Sequence, residues 1–352
     1  MRHHVVSLFV LVLLLATTVV ARADDADDFI RAQMKSQNIP GLALVVVKNG
    51  EIIKTAGYGL ANIRLRIPVS PDTVFHIGSI SKQFVATGIM LLVQESRLGL
   101  GDPISKYLQG TPETWKVITI QHLLTHTSGM VREVPGWDAF KPRNESEVMK
   151  TIYQAPLRFA PGEQWAYSNA GYFLLAEIIT RVTGLHWTEY LTERIFKPSG
   201  MNTTYPTNTK EPVPNRARGY ADNDKLNETN DWLSLHPAGG FLSTVLDLAK
   251  WDAALDTDKV ISESIRREMW TPVRLNDGTS YPYGLGWELD PLDEHGRVRH
   301  GGSLSGFRSE FSRFPDARLT VIMLMNLDDV DWTAIVRGVS YPHMPASAST
   351  GR

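Results

Sequence analysis

Strand-forming sequence stands at both ends of this chain, and helix-forming sequence stands between. Near the N-terminus, GLALVVVKNGEIIKTAGYG (41–59) gives two β-rich runs around Asn49-Gly50, a dipeptide suited to a tight hairpin turn. Far downstream, residues 284–290 (GLGWELD), 307–314 (FRSEFSRF) and 318–326 (RLTVIMLMN) again read as strands. Residues 100–230 carry mostly helical patterns, broken by HTSGM, KPRNE, APGE and PSGMN. Strands so distant must meet in space to share a sheet. The order therefore predicts an α/β fold of the α+β kind: an antiparallel sheet flanked by N- and C-terminal helices (24–37 and 329–338), with an inserted all-helical subdomain. The sheet part spans about 24–75 and 235–340 and the helical part about 76–234, and the tail 341–352 reads as disordered.

The first 23 residues are set apart. A short basic start (MRHH) precedes the apolar run VVSLFVLVLLLATTVV, and Ala21-Arg22-Ala23 ends it with a small-x-small pattern. This is the layout of a secretory signal peptide, cleaved after Ala23. The apolar run is shorter than the ~20 residues a membrane span needs, and no later segment is apolar enough. The expectation is an exported protein, periplasmic or secreted, with no stable membrane span after cleavage. The chain has 352 residues and no cysteine, which excludes disulfides, thiol catalysis and cysteine-ligated zinc. Its net charge of −2, with no basic run interleaved with aromatics, argues against nucleic acid as a partner.

HIGSISKQF (76–84) holds the first chemical signal. Ser79 and Lys82 lie three apart at the head of a helical pattern reaching about Arg97, so they share one face. The helix beyond them is apolar on nearly every side, which buries it. A lysine there must be paired or lose its charge, and an amine with a depressed pKa suits activation of a hydroxyl nucleophile. Two further stretches follow. In WAYSNAGY (165–172), Tyr167 and Asn169 are two apart and can face one cleft, the phenol as a base whose pKa a nearby ammonium lowers, the amide as a substrate holder. In RHGGSLSGF (299–307), His300 precedes Gly301 and Gly302, and glycines at a strand edge admit another backbone, such as a peptide-like substrate. Each stretch also has a plain structural reading, as a helix cap, a packed loop or a glycine bulge. Trp165, Trp232 and Trp287 could line a substrate cleft, but core packing is the first reading for each. His122 and His126, in HLLTHTSG (122–129), lack the glutamate of a zinc helix, and no metal or other cofactor is expected.

Taken together and in this order, SISK, YSN and HGG resemble the motif set of the serine β-lactamase and penicillin-binding-protein superfamily. The resemblance is nearest to the branch of class C β-lactamases, D-amino-acid peptidases and related esterases. TVFHIGSISKQFVA, HLLTHTSG, PGEQWAYSNAGYFLLAEII, PAGGFLST and YGLGWEL extend it from about residue 28 to 336. The resemblance implies Ser79 as the acylated nucleophile, Lys82 as its proton partner, and Tyr167 as base and then acid to the leaving group. It implies an oxyanion hole from the backbone N–H groups of Ser79 and Ser303. Asn169, His300, Gly301 and Gly302 would bind a small-molecule or peptide-like acyl substrate. HGG stands where many relatives have Lys-Thr-Gly, and a neutral imidazole grips a penicillin carboxylate less firmly than an ammonium. An esterase or D-amino-acid-type peptidase is therefore expected before a class C-type β-lactamase, with a non-catalytic penicillin-binding or sensing module as the remaining alternative.

Overall fold

The computed structural model describes residues 25–136, 138, 141, 144–209, 211–221, 226–229 and 236–345. The expected signal peptide, Trp232 and the tail from 346 lie outside them.

Helix α1 (Asp25–Ser36) opens with Asp25, Asp27 and Asp28, acidic charges that suit a helix N-terminus, and buries Ile30 and Met34. Strands β1 (Gly41–Lys48) and β2 (Glu51–Asn62) form the expected hairpin, with Asn49 and Gly50 at φ 53° and 82° in its turn. Strand β3 (Ile67–Pro68) follows at the edge. The middle of the chain contributes helices α2 (Ser81–Gln94), α3 (Ile120–Leu124), α4 (Asn169–Thr183) and α5 (Val245–Leu255). The last part returns as β4 (Val298–Leu304), β5 (Phe307–Phe314) and β6 (Leu319–Met325), then helix α6 (Trp332–Ser340).

The six strands make one antiparallel sheet, in the order β4-β5-β6-β1-β2-β3. The chain ends meet where β1 pairs β6, from Leu42 opposite Met325 to Lys48 opposite Leu319. Successive side chains on β1 point to opposite faces. Ala43, Val45 and Val47 join the large core built with α2, α4 and α5. Leu42, Leu44 and Val46 join a second core with Ile30 and Met34 of α1 and Ile335, Val336 and Val339 of α6. Covering both faces explains why β1 is apolar throughout instead of alternating. Strand β4 is left at the sheet edge.

Two expectations change. Residues 284–290 do not form a strand; they turn tightly over α2 and meet the sheet at a bridge between Glu288 and Arg299 and where Trp287 packs on Phe311. Gly286 sits at φ 80°, where a Cβ would lie 2.6 Å from the Ala86 Cβ, so its glycine serves a close approach. The start of the expected disordered tail is also ordered: Tyr341–His343 form a 3₁₀ turn, and Lys48 Nζ donates to the His343 carbonyl at 2.7 Å.

Candidate active site

Helix α2 does not begin at the serine. A 3₁₀ turn, Gly78–Ile80, carries Ser79 and runs into the helix at Ser81. Gly78 takes φ 50°, and a Cβ there would stand 3.0 Å from the Ser303 nitrogen. Ser309 Oγ donates to the Ile77 carbonyl at 2.8 Å, and a Cβ on Gly302 would lie 2.1 Å from that same oxygen. Residues 77–79 are thus pressed directly onto β4 at 302–303, which only glycine at both 78 and 302 permits.

The edge strand has one usable side. Arg299 exchanges backbone hydrogen bonds with Glu288, at 2.8 and 2.9 Å, on the side away from β5. In an antiparallel strand, backbone groups two residues apart point the same way. The N–H and C=O groups of Gly301 and Ser303 therefore also face away from β5, into the cleft.

Lys82 is fully buried. Its Nζ lies 3.0 Å from Ser79 Oγ and donates to the Ala238 carbonyl at 2.8 Å. The Tyr167 ring centroid is 4.6 Å away. Among the described residues no carboxylate stands within ion-pair distance of it. Burial holds the amine well below the ordinary lysine pKa, and the more distant Glu133 and Glu288 only partly oppose this. Tyr167 departs from expectation. Its phenol is held well above the usual tyrosine pKa by burial, although hydrogen bonding with Ser79 pulls the other way. Desolvation outweighs any help from the amine, so Tyr167 keeps its proton, beside a lysine whose burial favours the neutral amine.

Ser168 caps α4: its Oγ accepts from the Gly171 N–H at 3.0 Å and donates to the Val131 carbonyl at 2.8 Å. The cap holds Tyr167 on one side and Asn169 on the other. Asn169 donates through Nδ2 to Glu133 at 2.6 Å, while its Oδ1 is buried without a partner among the described residues. His300 is buried, with both ring nitrogens engaged inside the protein. Burial pushes it down to about 3, and protonation of Lys82 acts in the same direction, so it is neutral.

The other face of β4 explains the missing side chain at Gly301. Arg299 binds Glu310 through two 2.8 Å hydrogen bonds, a bidentate pair with both residues buried, and also reaches Glu288. A Cβ on Gly301 would lie 2.9 Å from Arg299 Nη2 and 3.0 Å from Glu310 Oε2. The ion pair occupies the space that a hydroxyl side chain would need.

These groups line one cleft of about 540 Å³. Ser79, Tyr167, Asn169, His300, Gly301, Gly302 and Ser303 all border it, with Lys82 directly behind Ser79. Sequence reasoning missed Arg132, Glu133, Glu288, Arg308 and Trp332, and assigned Trp165 to the core. Trp165 instead stacks on Tyr281, centroids 4.1 Å apart, at the cleft wall. Trp287 is fully buried, as expected. Burial raises Glu288 to about 7, against the pull of Arg299. Arg308 stands across from Ser303 in the β4–β5 register, and no carboxylate pairs with it among the described residues. The alternation of charged Arg308 and Glu310 with Ser309 and Phe311 was the available signal, since it marks which side chains leave the core face.

A serine with a buried lysine at a helix head, set against the edge of an antiparallel sheet, defines a serine hydrolase site. The family described as "Beta-lactamase" matches residues 26–338, and this chain belongs to that family. "Penicillin-binding protein 4*" of Bacillus subtilis (strain 168) is 33% identical over 308 residues, which cover 81% of this chain and 68% of that protein. The octameric penicillin-binding protein homologue from Pyrococcus abyssi superposes with a TM-score of 0.78 at 28% identity, covering 90% of this chain and 76% of that one. The D-amino acid amidase from Ochrobactrum anthropi SV3 shares the fold, with a TM-score of 0.76 at 23% identity over 90% of this chain and 99% of its own. No helix among the described residues is long and apolar enough to cross a membrane.

Proposed function

We propose that this chain is an exported serine hydrolase that cleaves an ester or amide through an acyl-enzyme on Ser79. The observation that carries the reading is the convergence of Ser79 Oγ, the buried Lys82 amine at 3.0 Å and the Tyr167 phenol in one cleft. The amine has one N–H on the Ala238 carbonyl, so its lone pair is free for the Ser79 proton. Lys82 is the base in this reading. Tyr167, neutral in the resting site, passes the proton to the departing oxygen or nitrogen. The charge that develops on the attacked carbonyl oxygen is met by the backbone N–H groups of Ser79 and Ser303. Water then repeats the sequence on the acyl-enzyme. The test is labelling by a fluorophosphonate probe. The mature protein is expected to label, and Ser79→Ala to lose all label; an unlabelled wild type would indicate a binding module instead. Turnover of an aryl ester, a D-alanyl dipeptide and a chromogenic cephalosporin then ranks substrates, with the first two expected to lead.

Arg308 refines the substrate class. A neutral His300 offers no charge, yet Arg308 presents beside Ser303 a guanidinium that pairs with no carboxylate among the described residues. The preferred leaving group carries a carboxylate, as the C-terminal residue of a peptide does. Arg308→Ala is expected to lower kcat/KM about tenfold or more for a peptide with a free carboxylate, the loss of one charge-assisted contact. The same peptide with an amidated terminus should change little. Equal losses on both substrates would remove Arg308 from recognition.

A further inference from the structure

Two residues outside the reacting groups join the Tyr167 loop to the sheet edge. His126 follows α3 and is buried at φ 62°, a left-handed conformation that costs a non-glycine residue about 1–2 kcal/mol. Glycine or asparagine would sit there more easily, so the imidazole itself is what the position retains. The Ser168 N–H donates to His126 Nδ1 at 3.0 Å. A ring nitrogen that accepts carries no proton, so the His126 proton is on Nε2. That Nε2–H donates to Tyr283 Oη at 3.1 Å. At the far end, His300 Nδ1 lies 2.7 Å from the Gly301 carbonyl oxygen, which can only accept. His300 therefore holds its proton on Nδ1 and offers a lone pair at Nε2, 3.1 Å from the same Tyr283 oxygen. The Tyr283 hydroxyl accepts from one histidine and donates to the other. Every proton in the path from Ser168 to Gly301 is thereby assigned.

We propose that His126 and Tyr283 are positioning residues, which grip the Nδ1–H tautomer of His300 through its Nε2 lone pair and so hold the Tyr167 loop and the edge strand in register across Ser79. The path ends on the two segments that matter. Ser168 adjoins Tyr167, and Gly301 lies two residues before Ser303. The locked ring also caps the Gly301 carbonyl. An incoming extended substrate then finds its free acceptor on this edge at Ser303 and pairs in a single register. This inference rests on the acyl-transfer reading of the site.

The test uses the mature protein labelled with ¹⁵N-histidine. Two-bond ¹H–¹⁵N spectra near neutral pH, assigned by single histidine substitutions, are expected to show His126 as Nε2–H and His300 as Nδ1–H. Tyr283→Phe removes the donor to the His300 Nε2 lone pair and frees the ring to shift, while the Gly301 carbonyl keeps the proton on Nδ1; it should lower kcat about 10- to 100-fold, with KM for the same ester little changed. His126→Gln, whose amide can both accept from Ser168 and donate to Tyr283, should keep the His300 tautomer and most of kcat, whereas His126→Leu should behave like Tyr283→Phe. An Nε2–H tautomer for His300 in the wild type overturns the proposal, even if no variant folds. So does a Tyr283→Phe protein with unchanged kcat. Failure of the wild type to take a fluorophosphonate label is a separate result: it removes the acyl-transfer reading and leaves the tautomer measurement standing.

Discussion

Lys82→Met should yield a folded protein whose acylation is slower by at least about 10³-fold, the range expected for loss of a positioned general base. Methionine fills a similar volume in the buried site but has no lone pair basic enough to take the Ser79 proton. The substitution leaves the Ala238 carbonyl without its donor, a loss of about 1–3 kcal/mol for a buried acceptor. It also removes an amine whose burial disfavours its charged form, which offsets that loss. The Tm should accordingly move by only a few degrees while labelling collapses. The wild type supplies the sign of the pH dependence. Burial depresses the Lys82 pKa in the folded protein, so the reactive free amine accumulates as pH rises through that value. Acylation should fall toward acid pH as the amine takes up a proton, and Lys82→Met should lack this limb. Stopped-flow acylation across pH, with calorimetry on both proteins, measures all three quantities. A variant that acylates within tenfold of the wild type would assign the proton transfer to another group.

The second large effect is on stability. Glu310→Ala removes the buried carboxylate that holds Arg299 in a bidentate pair. Breaking such a pair by removing one partner costs about 3–5 kcal/mol, here toward the lower end because Arg299 keeps Glu288. In a chain of this size that lowers Tm by about 5–10 °C. Because the pair lies directly beneath Gly301, the cleft edge should loosen as well, with slower acylation even below the melting transition. The combined variant Arg299→Met, Glu310→Leu replaces the pair with apolar volume and should recover most of the stability, since buried ion pairs gain little over well-packed hydrophobic residues. Differential scanning calorimetry on the single and combined variants decides the matter. A combined variant as unstable as the single one would show that the segment needs the charges themselves.

Much of this site was legible before any coordinates. The Ser79–Lys82 spacing, the pair Tyr167 and Asn169, and the glycines after His300 follow from one-dimensional patterns. Helix periodicity and strand-edge glycines leave local marks in sequence. What escaped were residues whose importance comes from a neighbour distant in the chain. Arg308 matters because the β4–β5 register sets it across from Ser303. Tyr283 matters because it stands between two histidines from separate segments. GLGWELD was misread as a strand because its apolar alternation fits one, while the close approach of Gly286 to α2 bends it into a turn. The ionisation of Tyr167 was misjudged for a related reason: proximity to an amine can be guessed from motifs, whereas the depth of burial that overrides it cannot.

The sequence by itself determined the order of helices and strands, the sheet that unites the chain ends and the residue types gathered for acyl transfer. Those features are written in local periodicity and in the need of each apolar face to be covered. The tertiary structure alone decided which of those residues are charged, which way each proton points and which side of the edge strand stays open. Those properties depend on the dielectric and the hydrogen-bond partners that packing brings together from distant parts of the chain.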